Sequence, residues 1–399
     1  MRESRVQKRE KNSTAAQIIV LALLVVLLLV LAVPLLLEYS PAEILSRIRG
    51  EEIGQSWTAG LTEFSAPADL ESAVEARREA LPGNLSYVRK EYALPEGAGA
   101  GYVPDERCYG ETDDPAEIRK LLSSAYAKQL IGDQETVWSE ELPLVEGATL
   151  KYYLDESILV LVWNEPVGNC WGTFSEVFVS DASQLRRKIV QDSFDCNQYD
   201  FPTELAKEVN AVCASSADLY DHWSRVTGVC VYEGKLERFE PSCDVCFVTE
   251  EGDFILKKAN SFADEKAAED FITANNISFS LCFGPVLISD GQDVCPGYYR
   301  YGEINDNYPR LAIAQMGKLH YFTAAVNSNS KYSEYSKWGC TLRDLTDVML
   351  AHSCPNAYTL DGGQTGVIIL NDQVVNPLQY NSEQYVSDII YFATAIPDK

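Results

Sequence analysis

The residues best able to do chemistry lie in one stretch, Tyr358-Thr359-Leu360-Asp361-Gly362-Gly363-Gln364-Thr365-Gly366, between two apolar runs. A carboxylate at a strand end, followed by two glycines, sets an ionisable group beside backbone that a ligand can approach closely. Glycine permits unusual dihedrals and leaves amide N–H groups able to meet an anion. The same residues also suit a plain hairpin turn, because Asp-Gly and Gly-Gly are preferred there. A second group is Arg310, which follows Pro309 and opens the apolar run from Leu311. Its planar fork of donors matches a phosphate or carboxylate through two parallel hydrogen bonds. The three histidines, His222, His320 and His352, have no carboxylate or serine partner recognisable from spacing, which argues against a Ser-His-Asp hydrolase. Tyr220, Tyr298, Tyr299 and Tyr301 could stack on a sugar, although a strand-rich domain uses most of its tyrosines in the core.

These residues need strands to position them. Leu150–Leu154, Ile158–Trp163 and Phe174–Val179 are rich in β-branched and aromatic residues and predict strands. Helices are expected over Pro115–Leu130, over Ser183–Val190, from Pro202 to about Val209, and over Ala263–Thr273. Two hairpins follow from Glu233-Gly234 and Glu251-Gly252, each flanked by short apolar segments. Pro285–Ser289, Leu311–Met316, Leu319–Val326, Ala357–Leu360, Gly366–Leu370 and Val386–Thr394 predict further strands. Among them Thr341 and Asp344 form a capping-box pattern ahead of Leu342, Leu345, Val348 and Met349, a helix that Pro355 stops. Strands mixed with segregated helices predict a strand-rich α+β domain over residues 146–399, preceded by one transmembrane helix.

The rest of the chain bounds where such a domain would work. Arg2, Arg5, Lys8, Arg9 and Lys11 form a basic leader over residues 1–17, ahead of an apolar run from Ile18 to Leu37. At roughly 1.5 Å per residue that run is about 30 Å long, enough to span a bilayer. The positive charge should stay inside, placing the C-terminal part outside the cytoplasm. Val33-Pro34-Leu35-Leu36-Leu37-Glu38 offers no small-residue cleavage site, so an anchor fits better than a cleaved signal. Residues 38–145 read as a stalk with a small helical or irregular region. All eleven cysteines lie between Cys108 and Cys354, which suits an oxidising compartment, and the odd count leaves one unpaired in a monomer. Cys243 and Cys246 form a CxxC with no second pair at zinc-ligand spacing, so no metal and no cofactor is expected. A net charge of −26 argues against nucleic acid as a partner.

Several segments together carry a resemblance. Phe283-Gly284-Pro285-Val286-Leu287-Ile288, Pro309-Arg310-Leu311-Ala312-Ile313, the capped helix, Asn356-Ala357-Tyr358-Thr359-Leu360-Asp361-Gly362-Gly363, Val375-Asn376 and Val386-Ser387-Asp388-Ile389-Ile390 resemble the phosphodiester glycosidase family. The likeness runs from about Leu150 to the C-terminus. It implies a hydrolase that cleaves the C1–O bond of a sugar-1-phosphodiester, with a phosphorylated envelope glycan as substrate. It makes Asp361 and Asp218 the catalytic carboxylates, and Arg310, Gly362, Gly363, Gln364 and Thr365 the groups that hold substrate or phosphate. Two departures fall beside them. Ser215-Ser216-Ala217-Asp218 stands where relatives often carry Asn-Gly-Asp, and Asn327-Ser328-Asn329 where many carry Asp-Gly-Arg, so Ser216 and Asn327 become substrate contacts. Those departures also admit a glycan-binding module without turnover, and a phosphodiesterase cutting P–O differs only in the bond broken.

Overall fold

The computed structural model describes residues 92–95, 99–140, 142, 149–167, 170–194, 198–218, 228–299, 305–327 and 339–397. The expected anchor over 18–37, its basic leader, and Tyr220, His222 and Tyr301 lie outside the described residues. Strand β1 (Tyr109–Thr112) precedes two short helices, α1 (Pro115–Leu122) and α2 (Ala125–Ile131). A meander follows, β2 (Leu150–Leu154), β3 (Ile158–Val167) and β4 (Cys170–Val179). Then come β5 (Leu185–Ile189), α3 (Pro202–Glu208) and β6 (Ala211–Ser216). Two hairpins are β7 (Gly228–Tyr232) with β8 (Lys235–Glu240), and β9 (Val245–Thr249) with β10 (Phe254–Lys257). Helix α4 (Glu265–Ala274) leads to β11 (Ile277–Leu281), β12 (Val286–Ser289) and β13 (Gln292–Asp293). The remainder is β14 (Arg310–Gly317), β15 (His320–Asn327), α5 (Leu342–Ala351), β16 (Asn356–Leu360), β17 (Ile368–Leu370), β18 (Gln373–Val374) and β19 (Asp388–Ala393).

A nine-stranded sheet, ordered β1-β2-β3-β4-β15-β14-β16-β12-β13, is the centre of the fold, with a five-stranded sheet, β18-β17-β6-β19-β5, beside it. Burial on both faces explains why the central strands read as continuous apolar runs. Along β14, Ala312, Ala314 and Met316 join a core with Leu342, Leu345, Val348 and Met349 of α5. Leu311 and Ile313 point the other way, into a core with Ile368, Ile390 and Phe392 of the smaller sheet. Beyond that sheet, Leu205 and Ala206 of α3 pack on Ile369 and Tyr391. The order of layers is therefore helix, large sheet, small sheet, helix. Trp163, fully buried, packs beside Phe174 and Phe322, which stack on each other at 5.6 Å. Each such side chain contributes about 1.5–3 kcal/mol of burial.

The structure corrects two expected helices. Ser183–Val190 is a short turn, Ala182–Gln184, followed by strand β5, which pairs antiparallel with β19 from Leu185 opposite Phe392 to Ile189 opposite Asp388. Pro115–Leu130 is two helices, because Ser124 ends the first path and caps the second, its hydroxyl accepting from the Ala127 amide at 3.3 Å. The buried positions are Ile118, Ala127 and Leu130, while Tyr126 is exposed. The preceding β1, absent from the sequence reading, extends the large sheet by pairing with β2, and β6 and β11 are further strands it lacked.

Candidate functional site

Strands β14 and β16 pair antiparallel, with Leu311 opposite Leu360 and Ile313 opposite Tyr358. Continued by one residue, that register sets Arg310, which opens β14, beside Asp361, which follows β16. The chain then leaves the sheet edge closely packed. A Cβ on Gly362 would lie 2.3 Å from the Pro309 carbonyl oxygen, so no larger residue fits without displacing backbone. Gly363 takes φ +65 and donates its amide to Pro309 O at 2.8 Å. After the turn Gly363–Thr365 the chain enters β17, a strand of the other sheet. The Asp-Gly-Gly segment is thus a crossover between sheets and not a hairpin turn.

That crossover forms part of the wall of a cleft of about 340 Å³, lined also by Phe283, Tyr308, Arg310, Thr359, Asp361, Tyr380 and Gln384. Arg310 is held by two carbonyls, Nε donating to Cys340 O at 3.2 Å and Nη2 to Asp306 O at 2.9 Å. Its guanidinium carbon sits 5.7 Å from the centre of the Tyr308 ring, a cation–π distance. Arg310 and Asp361 are each only 8% exposed, so a ligand meets both where water is largely excluded. Their charges act there through a lower dielectric than at an open surface. A phosphate against Arg310 and a polarised water against Asp361 is the chemistry this pair can support.

Asp218, the other expected catalytic carboxylate, is not among the cleft-lining residues. Its side chain is 2% exposed, and Oδ2 accepts from Arg187 Nη2 at 2.8 Å. Oδ1 accepts from the amides of Cys282 at 2.5 Å and Phe283 at 3.0 Å. Arg187, itself buried, also bonds Asp388 through Nε at 2.6 Å. Burial pushes both carboxyls up, Asp388 to about 6, against the pull of Arg187. Asp218 therefore positions the cleft: it fixes Phe283, one wall, while Ala217 O accepts from the Asp361 amide at 3.0 Å.

The other expected contacts divide similarly. Gly362 and Gln364 line the cleft, and the Gln364 side-chain amide donates to Ser382 Oγ at 3.0 Å. Thr365 also lines it, but its hydroxyl turns back to Gly362 O at 2.5 Å. The Gly363 amide is committed to Pro309 and does not serve as an anion donor. Asn327 is fully buried, Nδ2 donating to Gly366 O at 3.3 Å, so it supports the crossover from behind. Ser216 ends β6 fully buried, away from the cleft lining. Of the tyrosines considered for sugar, Tyr298 is exposed outside the cleft and Tyr299 accepts from the Asp244 amide at 2.9 Å. Sequence reasoning missed Tyr308, Tyr380 and Gln384, although Tyr308 adjoins residues it had selected; Thr359, inside the selected stretch, also lines the cleft.

Neither described histidine reaches the cleft lining. His320 Nε2 lies 2.8 Å from Glu176 Oε1, and His352 Nε2 lies 3.7 Å from Glu165 Oε2, all four side chains buried. Cys170, Cys213, Cys246, Cys282, Cys295 and Cys340 are buried free thiols, and the CxxC is split between two cores, Cys243 in one and Cys246 in the other. Among the described residues, no group of three or more His, Cys, Asp or Glu is arranged to hold a metal ion.

Residues 210–393 match the model of a family described as phosphodiester glycosidase. The SPbeta prophage-derived uncharacterized protein YomE of Bacillus subtilis (strain 168) is 22% identical over 191 residues, 47% of this chain. The match spans only 28% of that relative's length. Among solved structures, the catalytic domain of zebrafish N-acetylglucosamine-1-phosphodiester alpha-N-acetylglucosaminidase, auto-inhibited by its pro-peptide, aligns with a TM-score of 0.46 at 13% identity. That alignment covers 59% of this chain and 83% of the zebrafish one. A hypothetical protein from Synechocystis aligns at 0.43 and 13% identity, over 61% and 63% of the two chains.

Proposed function

We propose, from the premise that residues 210–393 belong to the phosphodiester glycosidase family, that this chain hydrolyses the C1–O bond of a sugar-1-phosphodiester. The observation that carries the reading is that Arg310 and Asp361, which flank the Leu311–Leu360 pair of the β14–β16 register, both line one cleft. Arg310 binds the phosphoryl oxygens and stabilises charge as the phosphate departs. Asp361 accepts a proton from the attacking water, whose oxygen bonds to the anomeric carbon as the bond from C1 to the phosphate oxygen breaks. The electron pair leaves with a phosphate monoester, a good leaving group, so little general-acid help is needed. The basic leader and the apolar run to Leu37 support a membrane anchor with the domain outside the cytoplasm, where an envelope glycan is the substrate.

Two outcomes compete. The commitment of the Gly363 amide and of Asp218 to the protein's own structure favours a glycan-binding module of the same fold. Hydrolysis of anomeric phosphodiesters in oxygen-18 water, with immediate reduction of the released sugar, separates the readings. Label at C1 is expected. Label in the phosphate would assign P–O cleavage, and no products from any such diester would leave the binding module.

A further inference from the structure

We infer that Tyr380 and Tyr308 form a carbohydrate clamp at the mouth of this cleft, stacking on the pyranose ring whose phosphate Arg310 holds. The inference rests on the reading above and narrows its substrate class to pyranosyl phosphodiesters, excluding acyclic polyol phosphates. A pyranose has an apolar C–H face and a polar rim, which a phenol matches with its flat ring and wet hydroxyl edge. Few large apolar side chains are exposed among the described residues, and two of them line this one cleft: Tyr380 at 65% and Tyr308 at 39%.

Both tyrosines sit on hydrogen-bonded backbone. Tyr380 adopts φ +60 and the next residue, Asn381, φ +53, a left-handed pair that surrounding structure must enforce. The Asn381 amide donates to Leu378 O at 3.1 Å, and the Gln364 side chain ties Ser382 to the crossover turn at 3.0 Å. Thr203, at the start of α3, donates its hydroxyl to Glu383 Oε1 at 3.0 Å. Tyr308 exchanges two backbone hydrogen bonds with Cys340, at 3.1 and 2.9 Å, the residue whose carbonyl also holds Arg310. The anion site and the aromatic face thus share one support. Backbone already ordered before binding loses little freedom when a sugar arrives.

Calorimetry on the full chain in detergent micelles tests the clamp with two probes, methyl N-acetyl-α-glucosaminide and inorganic phosphate. Tyr380→Ala should weaken the neutral pyranoside at least about tenfold and leave phosphate unchanged, while Tyr380→Phe should bind both as the parent does. Undiminished pyranoside affinity in Tyr380→Ala, or no affinity of the parent for methyl glucosaminide, glucoside, galactoside or mannoside, would overturn it. Equal loss of both probes with a lowered melting temperature would make Tyr380 a structural residue and overturn it too. A parent that binds the pyranoside through Tyr380 yet hydrolyses no anomeric phosphodiester supports the clamp and defeats only the hydrolase reading.

Discussion

At the scale of single residues, Asp361 and Asp218 make opposite predictions although both are buried aspartates. Asp361→Asn keeps size and turn tolerance while removing the proton acceptor. Turnover of a sugar-1-phosphodiester should fall about 100-fold or more, with substrate-analogue affinity and melting temperature preserved. Near-parental turnover would remove Asp361 from the chemistry. Asp218→Asn instead strips a carboxylate from Arg187 and should destabilise the fold by about 3 kcal/mol in urea titration. A stable Asp218→Asn protein with selectively lost turnover would restore Asp218 as catalytic. Arg310→Lys loses the planar fork, its two carbonyl anchors and its contact with Tyr308. Phosphate affinity should drop by about 1.5–3 kcal/mol with the fold intact.

Elements transmit these requirements. The Cys340 carbonyl that orients Arg310 lies immediately before the capping box of α5. There the Thr341 hydroxyl accepts from the Asp344 amide at 3.1 Å, and Asp344 Oδ2 accepts from the Thr341 amide at 2.9 Å. Thr341→Ala should cost about 1 kcal/mol of stability. It should also raise KM more than it lowers kcat, because it loosens the support of the phosphate-binding residue and leaves Asp361 alone. An unchanged KM would show that α5 does not position Arg310. Beside Arg310 itself, Gly362→Ala would drive a methyl into the Pro309 carbonyl and should part the crossover from β14.

Across the whole molecule, the core between the large sheet and the helices contains an ionisable group. Glu165 is fully buried, accepts from the Trp163 indole, and burial raises its pKa from 4.5 to about 8. In the unfolded chain the same group titrates near 4.5. The folded state therefore binds a proton that the unfolded state releases between these values. This stabilisation is complete below about pH 4.5 and is lost as pH rises through about 8. Glu165→Gln fixes the neutral form, so its melting temperature should fall less than the parent's between pH 5 and 8. Parallel curves for the two proteins would show that Glu165 does not contribute this dependence.

What the sequence determined is what neighbouring residues decide among themselves. Glu233 and Gly234 take φ +48 and +75 in a tight hairpin, and Thr341 with Asp344 caps α5, both as their local chemistry requires. Arg310 and Asp361 were legible because each sits where an apolar strand meets a turn residue. The tertiary structure alone decided the rest. Ser183–Val190 reads as a helix in sequence; β5 can bury Arg187 only because Asp218 and Asp388, distant in sequence, meet it. Ala211–Ser216 showed no alternation because a central strand covered on both faces needs none. Asp218 meets Arg187 and the amides of Cys282 and Phe283, and the Gly363 amide meets Pro309, for the same reason. A buried charge or amide takes whichever partner the packed sheets deliver, and sheet order is a non-local property that spacing along the chain does not encode.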